Sequence, residues 1–548
     1  MNKALKEHFQ LLMPMVFICA LLSGIFLPIY SDEVVTKFKI ARFFLEEGQM
    51  LSFFPQCTTT VGHEVAWVFY PAAALISSIY AYLGPLGLRI SGIALALIWF
   101  ALLAYWCLRQ SKNSWSGHFT LLAALGSLGV LPYLWVLSRP EQFMFLPILI
   151  FCIAAMHPPI NVGRWQQVGG TIALAVLGSV FFYAHSKTIF FTPFFLASAW
   201  ISTRNFNVFL RTALIIYIIA LSVQVLRNAS LLGGCTDAPA IQAMLNANSL
   251  MPSQLLKDPY TFFSLIWENT IQFPHRLLVH LTFTPDFQSG WLPPLSDDNA
   301  LLRWINPLIY YTLFLLVIGT HLFALGIALK SLVQRNISSA TLLAALLAAA
   351  DLINIMLFKL QNFYAGTQYI PISIIILALL LPKILETSKY ATFNTGIRIA
   401  HVFITGLSLT SLFILFYSIT PTLIKNSDYE YASIPGQPLS IPVMGVENHI
   451  KSIQELGKLC HIPESNAKHV VVDHMTYFHY LKDKSPTHVL YVSELGYGGD
   501  LTDGKLLPFL KKQNSPGIIT RCEWMPKDFK NNQQKNDRGY CCINLNNQ

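Results

Sequence analysis

Charge is scarce in this sequence. Only 12% of its 548 residues are Asp, Glu, Lys or Arg, whereas 54% are hydrophobic. An ordinary soluble domain carries about 25% charged residues, so the deficit excludes a chain that faces water throughout. The sequence also lacks a phosphate-cradling P-loop and a dinucleotide-binding glycine fingerprint, which excludes nucleotide chemistry built on those frames. It shows no internal repeat of the kind that marks many transporters. No A-x-A-like cleavage site follows the first apolar run, so that run reads as a span and not as a removable signal peptide.

What fills the chain is apolar sequence in eleven runs, near 10–30, 88–108, 118–137, 143–156, 167–184, 189–202, 211–227, 304–329, 338–358, 369–385 and 397–419. A hydrocarbon core of ~30 Å takes about 20 helical residues, so most of the runs suffice to cross it, and those at 143–156 and 189–202 are short. The net charge of +9 does not point to nucleic acid, because of where the cations fall. Lys3, Lys6, Arg109, Lys112, Arg164, Arg204, Arg211, Lys330, Arg335, Lys383, Lys389 and Arg398 all lie in short connectors at one set of span ends. That is the positive-inside pattern. It predicts a cytoplasmic amino terminus and, with eleven spans, a carboxy terminus outside.

This orientation puts Cys57, Cys235, Cys460, Cys522, Cys541 and Cys542 outside, where an oxidising compartment favours disulfides. Adjacent Cys541 and Cys542 are poorly placed to bond each other, so separate partners are expected. Residues 65–83 are apolar too, but as a span they would invert every later loop. They read as a helix in the outer interface, with Trp67, Tyr70, Tyr80 and Tyr82 suited to that depth.

Two outer loops then emerge, about 31–87 and 228–303. The first opens with an amphipathic helix from Asp32 to Glu47, with Val34, Phe38, Ala41 and Leu45 on one face. The second holds Pro239, Pro252, Pro259, Pro274, Pro285, Pro293 and Pro294, which are expected to break any long helix. Past Pro421 the composition turns polar. Segments 468–481 and 487–498 each read as a strand, so residues 1–420 form a transmembrane domain and 421–548 a small α/β domain outside the membrane.

Four places combine polar chemistry with the outer face. They are Asp32-Glu33 after the first span, Ser138-Arg139-Pro140-Glu141, His185-Ser186-Lys187, and the aromatic turn from Lys359 to Tyr369. Each has a plain structural reading: helix capping for the acids, snorkelling or a rim ion pair for the cations. Short turns nevertheless bring these groups to one membrane face. Together they predict a pocket of carboxylates and cations at the level of lipid phosphates. Asp351, inside the ninth run, is an intramembrane acid whose nearest cation in sequence is Lys359, two helical turns away.

With these residues in place the sequence resembles the membrane glycosyltransferases of the GT-C fold, among them the aminoarabinose transferases, the protein O-mannosyltransferases and the lipid-linked mannosyltransferases. The shared pattern is an Asp-Glu pair after span one, an amphipathic juxtamembrane helix and a second acid after span three. LRISGIALALIWFALLAYWCLR (88–109) is similar to the family's Arg-led second span. SRPEQF (138–143) is similar to the His-Lys-Glu-type element of the lipid-linked mannosyltransferases. AHSKTIFFTPFFL (184–196) is similar to its Lys-containing turn. The likeness covers roughly residues 1–200 and the topology of the rest.

The resemblance implies an α-helical polytopic membrane protein of GT-C type with about eleven transmembrane helices. It implies Asp32 as general base, Glu33 as its assistant, Glu141 holding the acceptor or a metal, and Lys187 binding the donor phosphate. Arg139, His185, Lys359 and Tyr369 would line the substrate. Glu141 stands in a Pro-Glu context where many relatives have Asp, and Gln368-Tyr369 stand where an Arg-Tyr pair is common. No cofactor is fixed, and the resemblance leaves room for a divalent cation.

The implied partners are a polyprenyl-phosphate-linked sugar, membrane lipids and an acceptor glycan, lipid or protein, with no nucleic acid. The implied site of work is the periplasmic face of an inner membrane. A carboxylate of ordinary pKa, ~3.9, is ionised at neutral pH and can take a hydroxyl proton, and cations can stabilise a leaving phosphate. The rival readings are a transporter or lipid flippase, resting on Asp351, and an envelope scaffold, resting on the outer domain.

Overall fold

The computed structural model describes residues 3–30, 33, 84–110, 115–139, 141–160, 162–233, 239–284, 292, 300–359, 365–387, 391–425, 427, 440–441, 443–444, 446–463, 470–473, 475–476, 479–480, 487–489, 492–493, 504–512 and 514–547. The helices expected over 32–47 and 65–83 lie outside these residues, apart from Glu33. So do Cys57 and Cys235.

All eleven apolar runs are helical. In chain order the described helices are α1 (Lys3–Ser23), α2 (Gly84–Gln110), α3 (Trp115–Leu125), α4 (Leu131–Trp135), α5 (Gln142–Met156), α6 (Arg164–Phe182), α7 (Thr192–Ser202) and α8 (Val208–Gly233). Then come α9 (Pro239–Asn248), α10 (Pro252–Lys257), α11 (Pro259–Leu278), α12 (Ala300–Phe314), α13 (Thr320–Val333), α14 (Ser339–Leu357), α15 (Gly366–Thr387), α16 (Ala391–Ile414) and α17 (Thr420–Lys425). Single π turns, Leu315–Gly319 and Leu415–Ile419, join α12 to α13 and α16 to α17. Among the described residues six stretches are long and apolar enough to cross a membrane, and Leu12–Phe26, Gln142–Met156 and Gly366–Pro382 are shorter apolar helices. The protein is a membrane protein.

The run at 118–137 is not one helix. It breaks between α3 and α4 at Gly129, which has φ +55° and lies so close to Leu281 that an added Cβ would sit 1.9 Å from that carbonyl oxygen. Inside a bilayer every freed backbone group must find a protein partner. Here the Gly129 N–H donates to Ser411 Oγ (2.6 Å) and the Val130 N–H to Leu281 O (3.2 Å). Around this break Trp99, Phe100, Trp135 and Phe145 interlock edge-on. Gly92 of α2 lets the returning chain pass equally close, since a Cβ there would meet Val136 O at 1.9 Å.

The expectation that prolines would prevent a long helix in 228–303 is wrong. α11 runs for 20 residues. Pro259 sits in its first turn, where the missing N–H costs nothing, and the Asp258 side chain accepts from Thr261 N (3.1 Å) as the cap. Pro274 falls in its last turns and the helix passes through it.

Beyond α17 the chain builds a small mixed sheet. β3 (Val471–Val472), β4 (Thr487–His488), β5 (Gly517–Arg521), β6 (Gln534–Lys535) and β7 (Tyr540–Asn544) stand in the order β4-β3-β5-β7-β6. The β3–β4 and β3–β5 pairs are parallel, and the pairs made by β7 are antiparallel. Helices α18 (Val446–Leu459) and α19 (Leu506–Lys512) accompany the strands. Successive strand residues point to opposite faces. Cys541 and Cys542 therefore take different partners, Cys522 and Cys460 respectively. A further two-stranded ladder fastens this unit to the bundle: β1 (Ile29–Tyr30), after the first helix, pairs antiparallel with β2 (Ser440–Ile441). Ile29 and Leu88 share one apolar cluster with Val443, Ile453 and Leu456.

Candidate active site

At one end of the bundle Glu33, Arg89 and the turn before Ser138 form a closed knot. The Arg89 guanidinium grips both Glu33 oxygens (2.8 and 2.6 Å). Its remaining N–H groups donate to the carbonyls of Leu27 (2.9 Å), Pro28 (2.6 Å) and Val136 (3.3 Å). A guanidinium has five donors, and all five are used. Glu33 also accepts from Ser138 N (2.6 Å), and the Ser91 and Ser138 hydroxyls meet at 3.1 Å. Both charged side chains are fully buried. Glu33 is thus a fastening between the exit of α1, the start of α2 and the turn leading to α5. Asp32, its neighbour, lies outside the described residues.

The turn that Glu33 holds continues into the second group. Arg139 Nε and Nη2 donate to the two Glu141 oxygens (3.1 and 3.2 Å), immediately before α5. Burial works to raise the Glu141 carboxyl, but Arg139, His185 and Lys187 outweigh it and hold it at about 2. His185 precedes a 3-10 turn, Ser186–Phe191, and its Nδ1 accepts from Lys187 N (3.1 Å). Burial, then Lys187 and Arg139, push this imidazole down to about 3 against the pull of Glu141. A neutral ring whose Nδ1 accepts carries its proton on Nε2.

Lys187 is only 7% exposed. Its ammonium lies 4.8 Å from the centre of the Phe358 ring, a cation–π distance. Among the described residues it has no hydrogen-bonded or ion-pair partner. Burial and Arg139 lower its pKa, while Glu141 and Asp351 raise it.

Below Lys187, Asp351 of α14 is not alone, contrary to its isolation in sequence. Its oxygens accept from Gln368 Nε2 and meet His321 Nε2, each at 3.0 Å. His321 Nδ1 lies 2.5 Å from Val317 O, inside the π turn. A carbonyl can only accept, so Nδ1 bears a proton and a second proton is shared between Nε2 and Asp351.

Four of the residues expected from sequence, Arg139, Glu141, His185 and Lys187, therefore lie together. Lys359 and Tyr369 are at the margin. Lys359 Nζ donates to Asn246 O (2.7 Å), and Tyr369 packs edge-on against Phe273 at 4.8 Å. Arg89 enters the sequence reading only as the leading Arg of the second span, and His321 and Phe358 do not enter it. For the first two the available signal was an ionisable or polar side chain inside an apolar run. Among the described residues no three His, Cys, Asp or Glu side chains converge on a common point.

No protein-family model and no curated protein matches the sequence. Solved structures that match include the crystal structure of ArnT from Cupriavidus metallidurans bound to undecaprenyl phosphate. The chain is similar to it at 12% identity, over 100% of this chain and 98% of that one, with a TM-score of 0.45.

Proposed function

We propose that this protein is a membrane glycosyltransferase of GT-C type. It moves a sugar from a polyprenyl phosphate to an acceptor hydroxyl of a glycan, lipid or protein, at the periplasmic face of an inner membrane. The observation that carries the proposal is the buried Lys187 ammonium, without a described hydrogen-bonding partner, beside a second cation, Arg139. A phosphate arriving there supplies the missing anion. It also restores the full charge on an ammonium whose surroundings depress its pKa, so binding and charge development reinforce each other. The positive-inside distribution and the two disulfides of the outer unit support the orientation.

The chemistry follows from these positions. The acceptor oxygen attacks the anomeric carbon from the side opposite the phosphate and forms the new C–O bond. The anomeric C–O bond to phosphate breaks, and its electron pair leaves on the phosphate oxygen, where Lys187 and Arg139 stabilise it. The hydroxyl proton passes to Asp32, the general base, and the configuration inverts. Glu33 steadies the segment bearing Asp32 through Arg89. Glu141 aims Arg139, His185 offers its Nε2–H to the donor, and Lys359 and Tyr369 flank the approach.

Asp32→Asn keeps size and capping ability but removes basicity. At normal membrane abundance it should lose about 10²–10⁴-fold in turnover, the usual range for a positioned base. Lys187→Met should instead weaken donor use. Near-normal activity in Asp32→Asn would sink the assignment. A second reading, a proton-coupled transporter or flippase, is favoured by the proton shared between Asp351 and His321. Lipids of a deletion strain separate the two: a transferase leaves polyprenyl-phosphate sugar accumulated, whereas a transporter leaves that pool unchanged and alters solute uptake.

A further inference from the structure

Helix α11 divides into three lengthwise sectors at about 100° per residue. One is buried and faces the bundle: Phe262, Asn269, Phe273 and Leu277. The other two are open, and they differ in chemistry. Tyr260, Phe263, Trp267 and Ile271 recur at helical spacing and are exposed by 85%, 60%, 67% and 57%. Alongside them runs a polar stripe, Thr261, Ser264, Glu268, Gln272 and His275, also exposed. A helix in bulk water has no reason to keep four large apolar side chains bare in one line, and a spanning helix would not carry a polar line beside it.

The depth of this helix is set by what its inner side grips. Asn269 Nδ2 donates to Met356 O (3.0 Å), and Arg276 Nη1 donates to Lys359 O (3.3 Å). The chain just before α10 and α11 is held at the same level, with Leu250 N donating to Leu357 O (2.8 Å) and Ser249 bridged to Phe358. Met356 and Leu357 end α14, a 19-residue apolar helix. At 1.5 Å per residue such a helix covers about 28 Å, close to the thickness of a hydrocarbon core. The end of α14 therefore marks one hydrocarbon boundary, and α11 is attached to that end.

We propose that the Tyr260–Phe263–Trp267–Ile271 stripe is a bilayer-docking surface, seated in the headgroup boundary with the Thr261–His275 stripe turned to water. Its occupant is the lipid surface itself. Trp and Tyr belong at that depth, where an apolar ring carries a polar edge, and no charged residue interrupts the stripe. The same helix holds the Lys359 carbonyl and packs Phe273 on Tyr369. The bilayer thereby steadies the segment that carries Phe358, the ring beneath Lys187. This inference needs only that α14 spans a membrane, and it stands apart from the reaction proposed above.

The test is site-directed spin labelling of the full chain in lipid nanodiscs. The parent carries Cys19→Ser, which removes the free thiol exposed among the described residues, and its spectrum is subtracted. Single labels at Phe263→Cys, Trp267→Cys and Ile271→Cys are compared with labels at Ser264→Cys, Glu268→Cys and Gln272→Cys. The expected result is a several-fold higher ratio of oxygen to nickel-chelate accessibility on the first set, alternating with helical period against the second. Two outcomes overturn the proposal. Equal exposure of both sets to the nickel chelate means the stripe lies in water. Protection of the first set from both reagents means protein covers it, a second copy or another chain.

Discussion

Replacing Arg89 with Met measures how much the Glu33 knot contributes. The substitution keeps an apolar stem of similar length and removes five donated hydrogen bonds at once. The Glu33 carboxylate stays buried and loses both guanidinium bonds, while it keeps the Ser138 N–H (2.6 Å). Uncompensating one member of a buried pair costs about 3–5 kcal/mol. The Leu27, Pro28 and Val136 carbonyls lose their donor as well, at roughly 1 kcal/mol or more each where no water replaces it. The single variant should therefore fall in the upper part of that range or beyond it. Arg89→Met combined with Glu33→Gln removes the stranded charge but not the stranded carbonyls, so the double variant should be more stable than Arg89→Met alone. Arg89→Lys should not rescue, since an ammonium has three donors and no fork. The assay is thermal unfolding in nanodiscs followed by tryptophan fluorescence, with membrane abundance measured alongside. An Arg89→Met protein that unfolds with the parent, or a double variant that loses the full sum of both singles, would refute the reasoning.

Three further outcomes are expected. Glu141 is held at about 2 against an ordinary 4.5, so the unfolded chain binds more protons, and the stability it contributes above that range is lost as pH falls through it. His185, lowered from 6.5 to about 3, also favours the folded state at neutral pH and loses that contribution as pH falls below 6.5. Glu141→Gln should thus flatten the acid limb of a stability–pH curve below about pH 4.5, and His185→Gln the part just below pH 6.5. A steeper limb in either variant would contradict the assigned environment. A reporter active only in the cytoplasm should work when fused after Asn113 and fail after Gly84, and activity at Gly84 would make residues 65–83 a span. Alkylation without reductant should leave Cys460, Cys522, Cys541 and Cys542 unlabelled, and ready labelling of all four would remove both disulfides.

Much of this was readable because the bilayer imposes a strong rule. Backbone in hydrocarbon must satisfy itself, so an apolar run of sufficient length is helical almost regardless of detail, and all eleven runs are. Short turns likewise forced Arg139, Glu141, His185 and Lys187 toward one end. What escaped was pairing between distant positions. Arg89 leads an apolar run and Glu33 opens the long loop before it, and nothing local says that they meet. The same holds for His321 and Asp351. The α3–α4 break depends on Leu281 approaching Gly129 from a different part of the chain. Helix α11 is a different case: Pro259 breaks a helix by type, but here it stands at a helix start after the Asp258 cap, where it favours initiation.

The β1–β2 ladder has a consequence for how the protein is made. Ile29 leaves the ribosome about 410 residues before its partner Ile441. At roughly 5–20 residues per second, the edge of β1 must wait tens of seconds for its complement, while Ile29 and Leu88 wait for the cluster that covers them. During that interval this end of the nascent bundle presents an open strand and an apolar seam, the features that invite misassociation. A chain that stalls before β2 should therefore leave the preceding bundle without its cap and fall to quality-control proteases.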